Sequence, residues 1–160
     1  MEKIRFDDIA SLQKCVSEEF GAWSPPFEIT QKIIDDFAEV TGDHQWIHLD
    51  VERCKKESPF GTTIPHGFLT LSLLPKLSAG ASEGFAVTGY GNATNYGAES
   101  LRFLSPVPSG SKVQAGRRLK AVEATPKGTK VISQVAIHVV GSEKPALLDD
   151  SIILYQPPRK

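Results

Sequence analysis

Cysteine is scarce in this chain: 160 residues hold two, Cys15 and Cys54. Their spacing makes no metal or redox motif, and so few exclude a disulfide-stapled scaffold. Net charge is nearly absent as well, with 18 basic side chains against 19 acidic ones, −1 overall. That balance gives no general electrostatic case for a nucleic-acid partner. No stretch approaches the ~20 apolar residues that cross a membrane. The charged start Met1-Glu2-Lys3 leads into no apolar signal-peptide core. The expected address is the cytoplasm or an equivalent reducing compartment. Repeats, low-complexity tracts and internal linkers are missing too. The whole of 1–160 reads as one domain, large enough for its own core, with 1–20 as an N-terminal extension.

What the chain does have is a dense polar stretch. Thr41-Gly42-Asp43-His44-Gln45-Trp46-Ile47-His48-Leu49-Asp50, followed by Pro65-His66-Gly67-Phe68-Leu69, holds three of the four histidines. Upstream, 30–40 has helical periodicity, with Ile33, Ile34, Phe37 and Val40 expected on one buried face. Thr30 suits the N-cap, Ile29 and Ile34 a hydrophobic staple, and Gly42 the C-terminal stop. The polar residues therefore begin where a packed helix ends, on a loop held by its neighbours. Asp50 can cap a short helix over 51–57, and Ser58-Pro59-Phe60-Gly61 is a turn.

Pro65-His66-Gly67 opens the apolar run 68–74, too hydrophobic all round for a surface helix and so expected to be buried. Pro75 should kink or end that helix. Its first turn offers backbone N–H groups without helical partners, and Gly67 lets a ligand oxygen come close to the backbone. Acid, imidazole and oxyanion-ready amide together form a chemical constellation. Plainer readings exist for each member. Asp43 can bond its own loop, His48 can be a satisfied core histidine, and His66 can merely shape the helix start. His44 is expected to face solvent and His138 to pack within a strand or lie at the surface. A metal site from Asp43, His44, His48, Asp50 and His66 fits no familiar zinc spacing, and none is expected.

The flanks differ from each other. Residues 8–19 suit a short helix, with Leu12 and Val16 on one side, that covers an end of a sheet. Residues 21–27, with Trp23 and Pro25-Pro26, suit at best a short edge strand. Five strands are expected over 85–90, 93–104, 112–124, 129–140 and 146–155. The turns 106–110, 125–128 and 141–145 are short, which favours antiparallel pairing. One apolar helix followed by such a sheet gives an α+β class, the sheet wrapping the helix.

The stretch from Thr41-Gly42-Asp43 to His48-Leu49-Asp50, then Phe60-Gly61 and Pro65-His66-Gly67-Phe68-Leu69-Thr70-Leu71-Ser72-Leu73-Leu74-Pro75, resembles the hydratase motif of the MaoC-like dehydratase family. That family includes the (R)-specific enoyl-CoA hydratases. Asn95-Tyr96-Gly97 and Leu101-Arg102-Phe103-Leu104-Ser105-Pro106-Val107-Pro108-Ser109-Gly110 are similar to its NodN-like branch. The resemblance spans about Phe27 to the C-terminus. It implies a hot-dog fold, an antiparallel sheet around a long central α-helix, a homodimer, and a lyase of fatty acid metabolism. The implied reaction adds water to a trans-2-enoyl-CoA to give an (R)-3-hydroxyacyl-CoA, or reverses this. CoA is part of the substrate and no separate cofactor is implied. Carried over residue by residue, Asp43 and His48 would be the catalytic dyad and Gly67 the oxyanion donor. His66, Ser72, Asn95 and Tyr96 would contact substrate. Where some relatives carry a serine further along the central helix, this chain reads Leu73-Leu74-Pro75-Lys76, which leaves acyl preference open. Arg53, Lys55, Lys56, Arg102, Arg117 and Arg118 are candidates for CoA phosphates, or simply solvated charges. Two other functions stay in play, a hot-dog acyl-CoA thioesterase and a non-catalytic binding subunit.

Overall fold

The computed structural model of the chain describes residues 1–78 and 83–159. It begins with strand β1 (Glu2–Arg5), helix α1 (Ile9–Gln13) and the two-residue strand β2 (Phe27–Glu28). A helical middle follows: α2 (Gln31–Thr41), α3 (Trp46–Leu49), α4 (Val51–Glu57), α5 (Gly67–Ser72) and α6 (Leu74–Ser78). The rest is strand: β3 (Phe85–Thr88), β4 (Asn92–Phe103), β5 (Lys112–Thr125), β6 (Gly128–Val139) and β7 (Pro145–Gln156). The five-stranded sheet runs β2-β5-β6-β7-β4, with each neighbouring pair antiparallel. Short turns dictate this for β5–β6 and β6–β7, since a parallel crossover needs a dozen residues or more.

One apolar face of the sheet carries the main core. Val113 and Ala115 of β5, Val135 and Ile137 of β6 and Leu147 of β7 pack against Leu69 of α5, Leu77 of α6 and Ile34 of α2. Fully burying one such Leu or Ile contributes roughly 1.5–3 kcal/mol. Thr30 caps α2 by accepting from the Ile33 amide, and Ile29 joins Ile34 in the core as the staple requires.

Several expectations need correction. Val40 is 85% exposed, because the buried stripe of α2 runs through Ile34 and Ala38. At ~100° per residue, Val40 sits about 120° away from Ile34. The central helix is not one long rod over its described length. It breaks at Leu73, two residues before Pro75, which falls in the first turn of α6 where a missing N–H is tolerated. Phe68 is 63% exposed, so the run 68–74 is buried on one side only, through Leu69 and Thr70.

The N-terminal helix stops at Gln13, leaving Val16 exposed. Beyond it the chain runs along β5, with the amides of Ser17, Gly21 and Ser24 donating to the carbonyls of Leu119, Arg117 and Ala115. β1 goes unannounced by the sequence and pairs in parallel with β3, which therefore stands apart from the main sheet. Ile4, Leu12 and Phe85 build a second apolar cluster with Leu119, Val122 and Val131. The extension thus contributes a core of its own rather than only a cover.

Candidate active site

Gly42 ends α2 with φ 74°, a left-handed turn that a side chain would strain. The chain reverses there and delivers Asp43 into a short loop. The Asp43 carboxylate accepts from the Gln45 amide at 3.4 Å, and its side chain is 45% exposed. One turn of α3 then places His48, which is buried. His48 Nδ1 donates to the Ile64 carbonyl at 2.7 Å. A carbonyl only accepts, so Nδ1 carries the proton and Nε2 keeps the lone pair. Burial pulls the His48 pKa below its ordinary 6.5, against the opposing pull of the Ile64 hydrogen bond and of Asp43. The ring is accordingly neutral near pH 7, with a basic nitrogen available.

His66, the N-cap of α5, is also buried and stacks on His48 with centroids 3.7 Å apart. Its Nε2 donates to the Asp43 carbonyl at 2.9 Å and lies 3.9 Å from the Asp43 carboxylate. Its Nδ1 is buried without a partner among the described residues. His66 therefore ties the Asp43 loop to the start of α5. Polar atoms of Asp43, His48 and His66 all lie within 4.8 Å of one another, the group among the described residues able to close round a cation. The two rings are stacked, however, at 29° between planes. Each ring also commits one nitrogen to a main-chain carbonyl, His48 Nδ1 to Ile64 and His66 Nε2 to Asp43. The arrangement suits a water or substrate oxygen better.

Gly67 follows as the first residue of α5, where no helical carbonyl can take its amide. A Cβ there would lie 2.9 Å from the Phe103 ring, so the glycine lets the end of β4 close over the helix start. A cavity of about 280 Å³ opens beside it, lined by Gly67, Thr70, Phe103, Ile64 and Val107 among others. Gln31 holds the frame together, a role the sequence does not announce. Its Nε2 donates to the His48 carbonyl at 2.8 Å, while its Oε1 accepts from Thr63 at 2.6 Å and Ser109 at 3.1 Å. One side chain thus locks α3, the approach to α5 and the β4–β5 turn. Its signal was hidden, because a Gln in a first helical turn looks like solvent-facing polarity.

The remaining candidates separate from this cluster. His44 is exposed and paired with Glu39 at 2.9 Å. Asp50 caps α4 through the Arg53 amide. Ser72 donates to the Phe68 carbonyl, and with Asn95 it lines a different cavity further along the helix. Tyr96 is not among that cavity's lining residues; it is half exposed, with the Lys130 ammonium 5.5 Å from its ring centre. Arg53 stacks over Trp46 and pairs with Glu57, and Arg118 pairs with Glu18. Arg117 is no surface charge: it points into the space beside α6. Both cysteines are free, and Cys54 is buried with its thiol directed at the Trp46 and Ile47 carbonyls. His138 packs edge-on against Trp23. Among the described residues no helix is long and apolar enough to cross a membrane.

Comparison with known proteins fits this geometry. Residues 16–140 match the model of the MaoC like domain. The chain is 44% identical over 151 residues to 3-hydroxyacyl-thioester dehydratase Z of Mycobacterium tuberculosis (strain ATCC 25618 / H37Rv), covering 94% of this chain and 97% of that protein. It is 37% identical over 158 residues to nodulation protein N of Rhizobium meliloti (strain 1021), covering 98% and 94%. The solved (R)-hydratase from A. caviae, involved in PHA biosynthesis, superposes with a TM-score of 0.66 at 22% identity. That match covers 87% of this chain and 98% of that one, and it shows a common hot-dog fold.

Proposed function

The chain belongs to the MaoC-like dehydratase family, and from that membership and the Asp43–His48–Gly67 geometry we propose that it hydrates trans-2-enoyl thioesters to (R)-3-hydroxyacyl thioesters, and runs the reverse dehydration. The observation that carries this reading is the fixed tautomer of His48. With Nδ1–H committed to Ile64 O at 2.7 Å, Nε2 is left as a proton acceptor, and one ring nitrogen of His48 lies within 4.8 Å of an Asp43 carboxylate oxygen. Asp43 and His48 hold the attacking water between them as a coupled pair. As one of its protons is taken, the water oxygen bonds to C3 and the electron pair of the double bond moves toward the thioester oxygen. The Gly67 amide hydrogen-bonds that oxygen as charge builds on it. A proton then returns to C2, so that the product gains OH at C3 and H at C2. Nothing else is consumed, and the reaction needs no cofactor beyond the CoA carried by the substrate. His66 positions Asp43, while Ser72 and Asn95 serve the acyl side.

A homodimer accompanies this reading. β4 is an edge of the sheet, bonded among the described strands to β7 alone and exposed along most of its length. An open edge of twelve residues is a template for pairing with another chain. Light scattering should give about twice the 17.4 kDa of one chain, and a 17 kDa species at micromolar concentration would remove the dimer. Two free thiols suit a reducing, cytoplasmic address.

Crotonyl-CoA tests the activity. Loss of the enoyl absorbance without release of free thiol is the expected outcome. Thiol release would move the protein to the thioesterases. Neither change, in a protein that still binds the thioester, would make it a binding subunit.

A further inference from the structure

Buried polar atoms without partners gather in one place besides the histidine pair. Among the described residues these atoms are His66 Nδ1, Glu83 Oε1, Arg117 Nε, Ser133 Oγ and Asp149 Oδ1. Apart from His66, all belong to the walls of two adjoining cavities at the α6 end of the central helix. The larger holds about 590 Å³ and the smaller about 310 Å³, and they share Ser78 and Arg117. The smaller one contributes Glu83 and Ser133, the larger one Asp149.

Strand register explains how the polar atoms come together. On the helix-facing side of the sheet, Ala115, Ile137 and Leu147 form one apolar row across β5, β6 and β7. Two residues along, the matching row reads Arg117, Val135, Asp149, and the next reads Leu119, Ser133, Ser151. The face thus turns from apolar to polar within one step. Arg117 and Asp149 stand two strands apart, roughly 9–10 Å by strand spacing, with Val135 between them. Arg117 has Glu83 as its ion-pair partner, and only at 4.0 Å. Asp149 is 4% exposed, and burial beside Asp150 raises its pKa above the ordinary carboxylate value. Native interiors rarely leave such groups unpaired, since each costs about 1–3 kcal/mol. The rest of the lining mixes hydrocarbon, from Leu71, Leu74 and Pro75 of the helix and Ile153 of β7, with the polar side chains of Ser72, Ser78, Asn95 and Ser151.

We propose that the larger cavity receives the far end of an acyl chain bearing a hydroxyl substituent, which Arg117 and Asp149 hydrogen-bond. This rests on the hydratase reading and names the class of acyl group. The apolar part of the lining accepts methylene groups. The Arg117 N–H donates to the hydroxyl oxygen, and the hydroxyl hydrogen is donated to an Asp149 carboxyl oxygen. A plain hydrocarbon end would bury both groups unsatisfied. A carboxylate end would meet Asp149 at close range in a desolvated site.

The test uses matched pairs of trans-2-enoyl-CoA thioesters, plain and ω-hydroxylated, over increasing chain length. At the length that reaches Arg117, the hydroxylated member should show a kcat/KM about tenfold or more above its plain partner, the worth of one hydrogen bond to a charged group. Asp149→Leu and Arg117→Leu should bring that ratio to one or below, and Arg117→Lys should keep part of it; thermal unfolding confirms that each variant is folded. A wild-type ratio of one or less at every length overturns the proposal without needing any variant. If no thioester is hydrated, the catalytic reading has failed on its own. Calorimetry with free ω-hydroxy and plain fatty acids then decides the cavity. Tighter binding of the hydroxy acid, lost in Asp149→Leu, upholds the proposal; equal or no binding overturns it.

Discussion

At the start of α5, one nitrogen of each imidazole is tied to a main-chain carbonyl, His48 to Ile64 and His66 to Asp43. Beside α6, by contrast, Arg117 Nε and Asp149 Oδ1 have no hydrogen-bond partner among the described residues, Arg117 Nε having only a loose ion pair with Glu83 at 4.0 Å. Both groups line the same apolar frame, yet in the first the backbone fixes one nitrogen of each ring and leaves His66 Nδ1 open, while in the second it fixes neither Arg117 Nε nor Asp149 Oδ1. The first site has its protons placed before any substrate arrives, which is what acid–base chemistry requires. The second has binding capacity left over, which is what recognition requires. Polar satisfaction, more than polarity itself, separates a site that reacts from one that selects.

The largest expected effect falls on the first site. Asp43→Asn keeps size and hydrogen bonding but removes the charge, and His48→Gln removes the titrating ring. Each should lower kcat by roughly 10²–10⁴-fold, the range for a positioned acid or base. The double variant should be little worse than the poorer single one, because both act on one water. Folded variants with near wild-type crotonyl-CoA turnover would end the assignment of this pair.

Gly67→Ala ranks next, at about 10²-fold, the typical loss for an oxyanion donor. Here the structure offers a rival cause, since the new Cβ meets the Phe103 ring at 2.9 Å. Adding Phe103→Ala separates the two. If the second change restores turnover, Gly67 serves the ring; if the loss persists, it serves the thioester oxygen.

A smaller effect concerns pH. Burial holds the His48 pKa below 6.5. The acid limb of kcat/KM should therefore fall below pH 6.5, with activity kept in mildly acidic buffer. A limb at or above 6.5 would mean that His48 is solvated or is not the group observed.

The two regions also differed in how far the sequence disclosed them. Asp43, His48, His66 and Gly67 lie in two short segments close together in sequence, and local signals place their parts: the Thr30 cap, the Gly42 stop, the glycine at a helix start. The sheet was legible for a similar reason, as alternation and short turns bounded β4 to β7 to within a residue or two. Arg117 and Asp149 come together only through the register of three strands, which no local pattern encodes. Gln31 and the Ile64 carbonyl were illegible because their work is done by tertiary hydrogen bonds. β1 was missed because its partner lies some eighty residues away in sequence. Val40 and Phe68 were misread because hydrophobicity alone does not say which side of a helix a fold will cover.

The smallest expected effect is on stability, and its sign differs between the two regions. His48 has a folded pKa below its ordinary 6.5, so its contribution is present above pH 6.5 and is lost as pH falls through the folded value. Asp149 has a folded pKa above its ordinary 3.8, so its contribution is present below pH 3.8 and is lost as pH rises through the folded value. His48→Gln should accordingly flatten the fall in melting temperature below pH 6.5. Asp149→Asn should do the reverse, removing the loss that sets in above pH 3.8 and improving relative stability toward neutrality. Melting temperatures of wild type and both variants across pH 3.5–8 read the two slopes separately. Two variants that change the slope in the same direction would break the contrast, because one of the two groups would then have to be satisfied in a way its surroundings do not provide.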